Sequence, residues 1–111
     1  MNLNDYEKDG VAVLEPKGKI MGGPDATLLH EKLHELIESG KKKFVIDLSQ
    51  VEWMNSTGLG IMISGLTTLR NNKGELKLAN VTEKIKSLLV ITKLASVFEA
   101  YDTIDDAIES F

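Results

Sequence analysis

Apolar positions along the chain follow two spacings, one typical of strands and one typical of helices. Short apolar runs predict β-strands at residues 3–6, 11–14, 44–48, 76–79 and 97–99. Apolar residues three and four positions apart predict helices over about 24–39, 57–71, 81–91 and 103–110. Strands that alternate with helices indicate an α/β domain. We expect a mixed β-sheet of four to five strands and about four α-helices.

The connections between these elements carry recognisable signals. Asp9-Gly10 between the first two strands predicts a hairpin turn. Residues 18–24 hold three glycines and a proline, which predicts a loop before the first helix. The run from Phe44 to Leu48 contains a single charge, so we expect a central strand that is covered on at least one face. Thr82 and Thr103 are placed to open the last two helices.

Composition narrows the class of protein. A chain of 111 residues with 42% hydrophobic content fits one domain over residues 1–111. Its 13 basic and 17 acidic residues give a net charge of −4, which argues against a nucleic-acid partner. The absence of cysteine excludes disulfides and thiolate catalysis. With no secretory signal and no apolar segment long enough to span a bilayer, we expect a cytoplasmic protein that does not insert into membranes.

The segment His30-Glu31-Lys32-Leu33-His34 matches the H-E-x-x-H pattern of zinc metalloproteases. The two histidines lie on one face of the first predicted helix. They are the only histidines in the chain, so a catalytic zinc would need a third ligand from an unspecified position. They also lie to the solvent side of the apolar stripe. We therefore expect solvated histidines, with no metal site, no cofactor and no enzymatic activity.

The segment from Asp47 to Gly60 is the most informative part of the chain. Three helix-capping residues, Asn55, Ser56 and Thr57, precede a Gly-Leu-Gly sequence at the start of the second helix. Only one of them can cap the helix. Each glycine costs a helix interior about 1 kcal/mol relative to alanine. One explanation is purely structural, with a serine cap and glycines that permit close packing; the other is that an external partner requires this stretch.

This segment resembles the signature of bacterial anti-sigma-factor antagonists, the single-domain members of the STAS family. Their pattern is a strand ending in D-x-S-x-V, then an aromatic residue, then Met-Asp-Ser-(Ser/Thr)-Gly-Leu-Gly and a helix. Gly18-Lys19-Ile20 and Glu75-Leu76-Lys77-Leu78 are similar to further family elements. The resemblance implies a partner switch. The antagonist binds an anti-sigma factor that is also a serine kinase, the kinase phosphorylates the residue corresponding to Ser56, and a phosphatase resets the complex.

On this interpretation Ser56 is the phosphoacceptor, and its neighbours on the helix contact the partner. The partner-binding residues that we expect are Asn55, Thr57, Gly58, Gly60, Ile61 and Ser64. The N–H groups of Thr57, Gly58 and Leu59 would point near the serine hydroxyl, and the two glycines would leave the approach open. Helical spacing places Ile61 on the outer face, as a lone large apolar residue among small polar ones.

Two positions depart from the family pattern. Asn55 stands where the family carries Asp, and Met21 stands where an acidic residue is expected. Asp25 is then either the displaced acid or only a helix cap. These differences leave open a second function: a STAS scaffold without phosphorylation, or a regulatory subunit of a larger signalling or membrane-associated complex.

Overall fold

A computed structural model describes all 111 residues as six strands and four helices. The strands are β1 (Asn2–Lys8), β2 (Val11–Ile20), β3 (Lys43–Asp47), β4 (Val51–Met54), β5 (Glu75–Ala79) and β6 (Glu99–Tyr101). The helices are α1 (Pro24–Glu38), α2 (Ser56–Asn71), α3 (Glu83–Ile91) and α4 (Ile104–Glu109). None of these helices has the length and apolar content needed to cross a bilayer.

The strands form one mixed sheet in the order β1-β2-β3-β5-β6, with β4 paired to β2 outside that path. The β1–β2 pair is an antiparallel hairpin, and the other pairs are parallel. This arrangement confirms the mixed α/β fold, with one strand more than predicted. The additional strand is β4, whose four residues are too few to show a period in the sequence.

Two predicted boundaries were wrong, in each case because strand pairing decides the outcome. β2 continues to Ile20, through residues expected to form a loop, because β4 pairs with its second half from Gly18 to Ile20. The last strand begins at Glu99 instead of at residue 97. Phe98 is buried in the core, and the residues that follow it pair with β5.

The core lies on both faces of the sheet. The larger cluster joins one face to α1, α2 and α3, and the smaller cluster packs α4 against the other. Phe44 and Ile46 of β3 belong to the larger cluster and Val45 to the smaller one. This alternation confirms β3 as a central strand, covered on both faces. Thr82 and Thr103 cap α3 and α4, as predicted.

Candidate functional site

The second helix begins at Ser56, and Asn55 is the residue that caps it. The Asn55 Oδ1 atom accepts a hydrogen bond of 2.8 Å from the Gly58 N–H. The same side chain donates from Nδ2 to the Met21 carbonyl oxygen at 3.3 Å. Asn55 therefore satisfies one N–H of the helix start and also ties α2 to the segment that follows β2.

Ser56 is the first residue of α2, and its side chain is exposed. Because Asn55 supplies the cap, the Ser56 hydroxyl takes no part in capping. The prediction that the N–H groups of Thr57, Gly58 and Leu59 point near the serine hydroxyl was partly wrong. The N–H groups of Gly58 and Leu59 are already bound to Asn55. The N–H groups of Ser56 and Thr57 lie in the first turn, where N–H groups have no partner within the helix. The site thus presents a hydroxyl, two N–H donors and the positive end of a helix dipole.

Gly58 has a structural role that differs from the predicted one. It is buried, and a Cβ atom built on it would lie 1.9 Å from the Ile20 carbonyl oxygen. No side chain fits there, so α2 approaches the end of β2 only because residue 58 is glycine. The prediction that Gly58 clears the approach of a partner was therefore wrong. Gly60 is exposed, and a Cβ atom there would meet nothing within 4 Å.

Ile61 was predicted to be exposed, and this was wrong. It is only 6% exposed and belongs to the larger core cluster. It lies one turn after Gly58 and one turn before Gly65, which faces Leu33 of α1. Because α2 is covered by α1 as well as by the sheet, its buried arc is wider than the single stripe expected from the sequence. Ile61 consequently offers no surface for a partner.

Three of the predicted partner-binding residues are exposed along α2: Thr57, Gly60 and Ser64. The Ser64 hydroxyl lies 3.1 Å from the Nε2 atom of His30 on α1. These residues form one polar face that starts at Ser56. Two exposed apolar side chains, Met21 and Trp53, stand on the segments that lead to the same helix start, with 44% and 41% of their surface accessible.

The segment from Met21 to Asp25 packs beside the helix start, which the sequence did not reveal. Gly22 approaches Thr57 so closely that a Cβ atom on Gly22 would lie 2.8 Å from the Thr57 methyl group. The Asp25 Oδ2 atom accepts a hydrogen bond of 3.1 Å from the Met21 N–H. Asp25 therefore holds its own turn, and it does not cap α1, because the N-cap is Gly23 and no side chain bonds there. The run Gly22-Gly23-Pro24 was the one available signal for this packing.

The H-E-x-x-H segment does not build a zinc hydrolase site. His30 and His34 both lie on α1, and their ring centroids are 6.4 Å apart. No group of three or more His, Cys, Asp or Glu side chains is arranged to hold a metal ion. A catalytic zinc requires three protein ligands and an open position. The residues present therefore do not fit that chemistry.

Comparison with known proteins identifies the family to which the chain is similar. The STAS domain family model matches residues 2–107. A Thermotoga maritima protein, provisionally named an anti-sigma factor antagonist, is 32% identical over 75 residues, which cover 68% of this chain and 66% of that protein. The anti-sigma-B factor antagonist of Bacillus subtilis is 36% identical over 74 residues, 67% of each chain.

Solved structures agree with the architecture. The crystal structure of an anti-sigma factor antagonist from Mycobacterium paratuberculosis aligns with a TM-score of 0.82 at 27% identity, over 98% of this chain and 92% of that one. A sulfate transporter family protein from Wolinella succinogenes aligns with a TM-score of 0.79 at 21% identity, over 95% of this chain and 87% of that one. At that identity the second likeness concerns the fold alone.

Proposed function

The chain belongs to the STAS domain family, and on that premise we propose that it is an anti-sigma-factor antagonist in a partner-switching pathway. It binds an anti-sigma factor that is also a serine kinase, and this binding frees a sigma factor. The kinase phosphorylates Ser56 and the complex separates. A phosphatase acting on phosphorylated Ser56 restores the binding form. The chain is a cytoplasmic ligand and substrate in this scheme, and it catalyses nothing itself.

The observation that carries the proposal is the division of roles at the start of α2. Asn55 caps the helix, so the adjacent Ser56 is exposed and its hydroxyl is not needed for the fold. A kinase can reach such a hydroxyl without unfolding the domain. Two relatives named as anti-sigma factor antagonists are 32% and 36% identical to this chain over 75 and 74 residues.

Phosphate at this position suits the fold and alters the surface. A phosphoserine carries a charge of about −1.5 to −2 at pH 7. At a helix N-terminus an anion is favourable by roughly 0.3–1 kcal/mol, because it meets the helix dipole and the free N–H donors of Ser56 and Thr57. We therefore expect phosphorylation to leave the stability of the domain nearly unchanged. The added charge, on a chain whose net charge is already −4, acts on the partner through repulsion and desolvation.

The partner-binding surface that we propose is the polar face of α2 that begins at Ser56. Thr57, Gly60 and Ser64 are exposed on it, and Asn55 is partly exposed at its edge. Gly58 and Ile61 contribute from inside the domain, by fixing where the helix lies.

A second function is favoured by two specific side chains. Asn55 and Met21 are neutral at positions where antagonists of the family carry acids, and the Asn55 amide is bonded to the Met21 carbonyl oxygen. If a carboxylate at position 55 is needed to orient the serine, this chain is not phosphorylated. It then acts as a STAS scaffold or as a regulatory subunit of a larger complex.

Intact-mass spectrometry separates the two functions. The purified wild-type chain is incubated with Mg-ATP and an extract of its host cells, beside Ser56→Ala, Thr57→Ala and Asn55→Asp variants. We expect the wild type and Thr57→Ala to gain one phosphate, and Ser56→Ala to gain none. Thr57→Ala is the matched control, because it removes the neighbouring exposed hydroxyl.

The remaining outcomes are equally informative. A phosphate gain that persists in Ser56→Ala would place the acceptor elsewhere. A gain in Asn55→Asp alone would show that the kinase is present and that Asn55 blocks transfer, which supports the scaffold. If neither the wild type nor Asn55→Asp gains phosphate in an extract that phosphorylates a known antagonist, the phosphorylation cycle is refuted.

A further inference from the structure

The proposed partner switch does not require His30 and His34, although His30 contacts Ser64 of the proposed partner-binding face. They occupy positions i and i+4 of α1, where side chains on a helix are neighbours. Their rings are stacked with centroids 6.4 Å apart and planes inclined by 28°. Two rings bound side by side to one octahedral or square-planar ion through bonds of about 2.0–2.1 Å would have centroids about 4.5 Å apart, closer than in this structure. His34 is exposed, so its side chain can change rotamer, and chelation requires the two rings to approach by about 2 Å.

The surroundings of His30 orient its ring. The Nε2 atom of His30 lies 3.1 Å from the Ser64 hydroxyl oxygen on the neighbouring helix. In the tautomer that carries hydrogen on Nε2, the ring donates to Ser64 and leaves the Nδ1 lone pair unprotonated. Metal-binding histidines commonly donate their second ring nitrogen to an oxygen in this way, which fixes the ring and raises its basicity.

The local charge also favours a cation. Both histidines line an open depression of about 590 Å³ along α1, together with the carboxylates of Glu31, Glu35 and Glu38. Glu35 is paired with Lys32 at 3.4 Å, which leaves two carboxylates to contribute to a negative potential. Such a potential raises the local concentration of a divalent cation.

We propose that His30 and His34 form a two-histidine chelating site for an imidazole-binding transition-metal dication of the Ni²⁺ and Cu²⁺ class. The chain supplies two ligands and not three, so water completes the coordination. Open coordination of this kind suits ions of octahedral or square-planar geometry better than a tetrahedral structural zinc. The site is separate from Ser56, and it is exposed and exchangeable.

Titration of tag-free protein with NiCl₂ in a calorimeter tests the proposal. We expect one saturable site per chain in the wild type. Removal of one ring converts a chelate into a single-ligand site, so His34→Ala should weaken Ni²⁺ binding at least tenfold. Glu35→Gln is the matched control, because it changes the same face of α1 without removing a ligand, and its affinity should stay within threefold of the wild type.

Nuclear magnetic resonance gives a second readout that needs no variant. The chain has two histidines, so its imidazole spectrum contains two sets of signals. Substoichiometric Ni²⁺ bound at this pair should broaden both sets, because a paramagnetic ion relaxes the protons of neighbouring rings through space as well as those of its own ligands. The proposal is overturned if only one ring broadens, if His34→Ala binds Ni²⁺ as tightly as the wild type, or if a hundredfold excess of NiCl₂ produces no saturable binding.

Discussion

Replacement of Gly58 by alanine tests the most specific packing contact in the structure. The new Cβ atom would lie 1.9 Å from the Ile20 carbonyl oxygen and 2.8 Å from its carbon. To restore ordinary contact, the start of α2 would have to move away from β2 by about 1.5 Å. The obstructing atoms are backbone, so they cannot give way by a change of rotamer.

The expected change in the free energy of unfolding is the difference between two opposing effects. Alanine favours a helix interior over glycine by about 1 kcal/mol. Overpacking of a buried position costs about 1–3 kcal/mol and occasionally more, and a contact this short with backbone belongs at or above the top of that range. We expect Gly58→Ala to lower the free energy of unfolding by about 2 kcal/mol, and the melting temperature by about 8 °C for a chain of this size.

Gly60→Ala is the matched control, two residues further along the same helix. A Cβ atom at position 60 meets nothing within 4 Å, and the residue is exposed. Only the helix propensity changes there, so we expect a gain of about 0.5–1 kcal/mol. Urea denaturation followed by circular dichroism measures both variants. If the two substitutions shift stability in the same direction, the close approach of α2 to β2 is not the reason for glycine at position 58.

Two further predictions concern side-chain contacts. Asn55→Ala should lower the free energy of unfolding by about 1–2 kcal/mol, because it removes the helix cap and the bond to the segment after β2. Urea denaturation at pH 7 measures this loss. A loss below about 0.5 kcal/mol would argue against the cap. On α1, the hydrogen bond from Lys32 to Asp5 raises the pKa of the Lys32 ammonium. A raised pKa contributes stability below the unfolded value of about 10.4 and loses it as pH rises through the folded value. The pair is partly exposed, so Asp5→Asn should lower the free energy of unfolding by about 0.2–1 kcal/mol at pH 7 and by less at about pH 11. If the difference in stability between wild type and Asp5→Asn grows with pH, the Lys32–Asp5 interaction is not its cause.

Much of the fold could be predicted from local patterns. The four helices, the first hairpin and the central strand β3 each show several residues of regular spacing or a distinct turn signal. The threonine caps of α3 and α4 were also visible, because a capping side chain acts within three residues of its own position. The short strand β4 was missed for the opposite reason, since its pairing with β2 joins residues far apart in the sequence.

The candidate site was found from the sequence, but its internal roles were not. The sequence placed a capping residue among Asn55, Ser56 and Thr57 without deciding between them. The Asn55 amide reaches the Met21 carbonyl oxygen, 34 residues away, and this contact exists only in the folded chain.

The order of the elements and the start of the second helix can be read from the sequence alone, because hydrophobic period and capping chemistry act over a few residues. Which residues of that helix face outward depends instead on how the helix packs in the folded domain. Ile61 is buried because α1 covers the side of α2 that a single-stripe pattern leaves to solvent. Gly58 is required because the end of β2 lies against it. Both outcomes depend on neighbours that are distant in sequence, and these neighbours leave Ser56 as the exposed hydroxyl next to the cap.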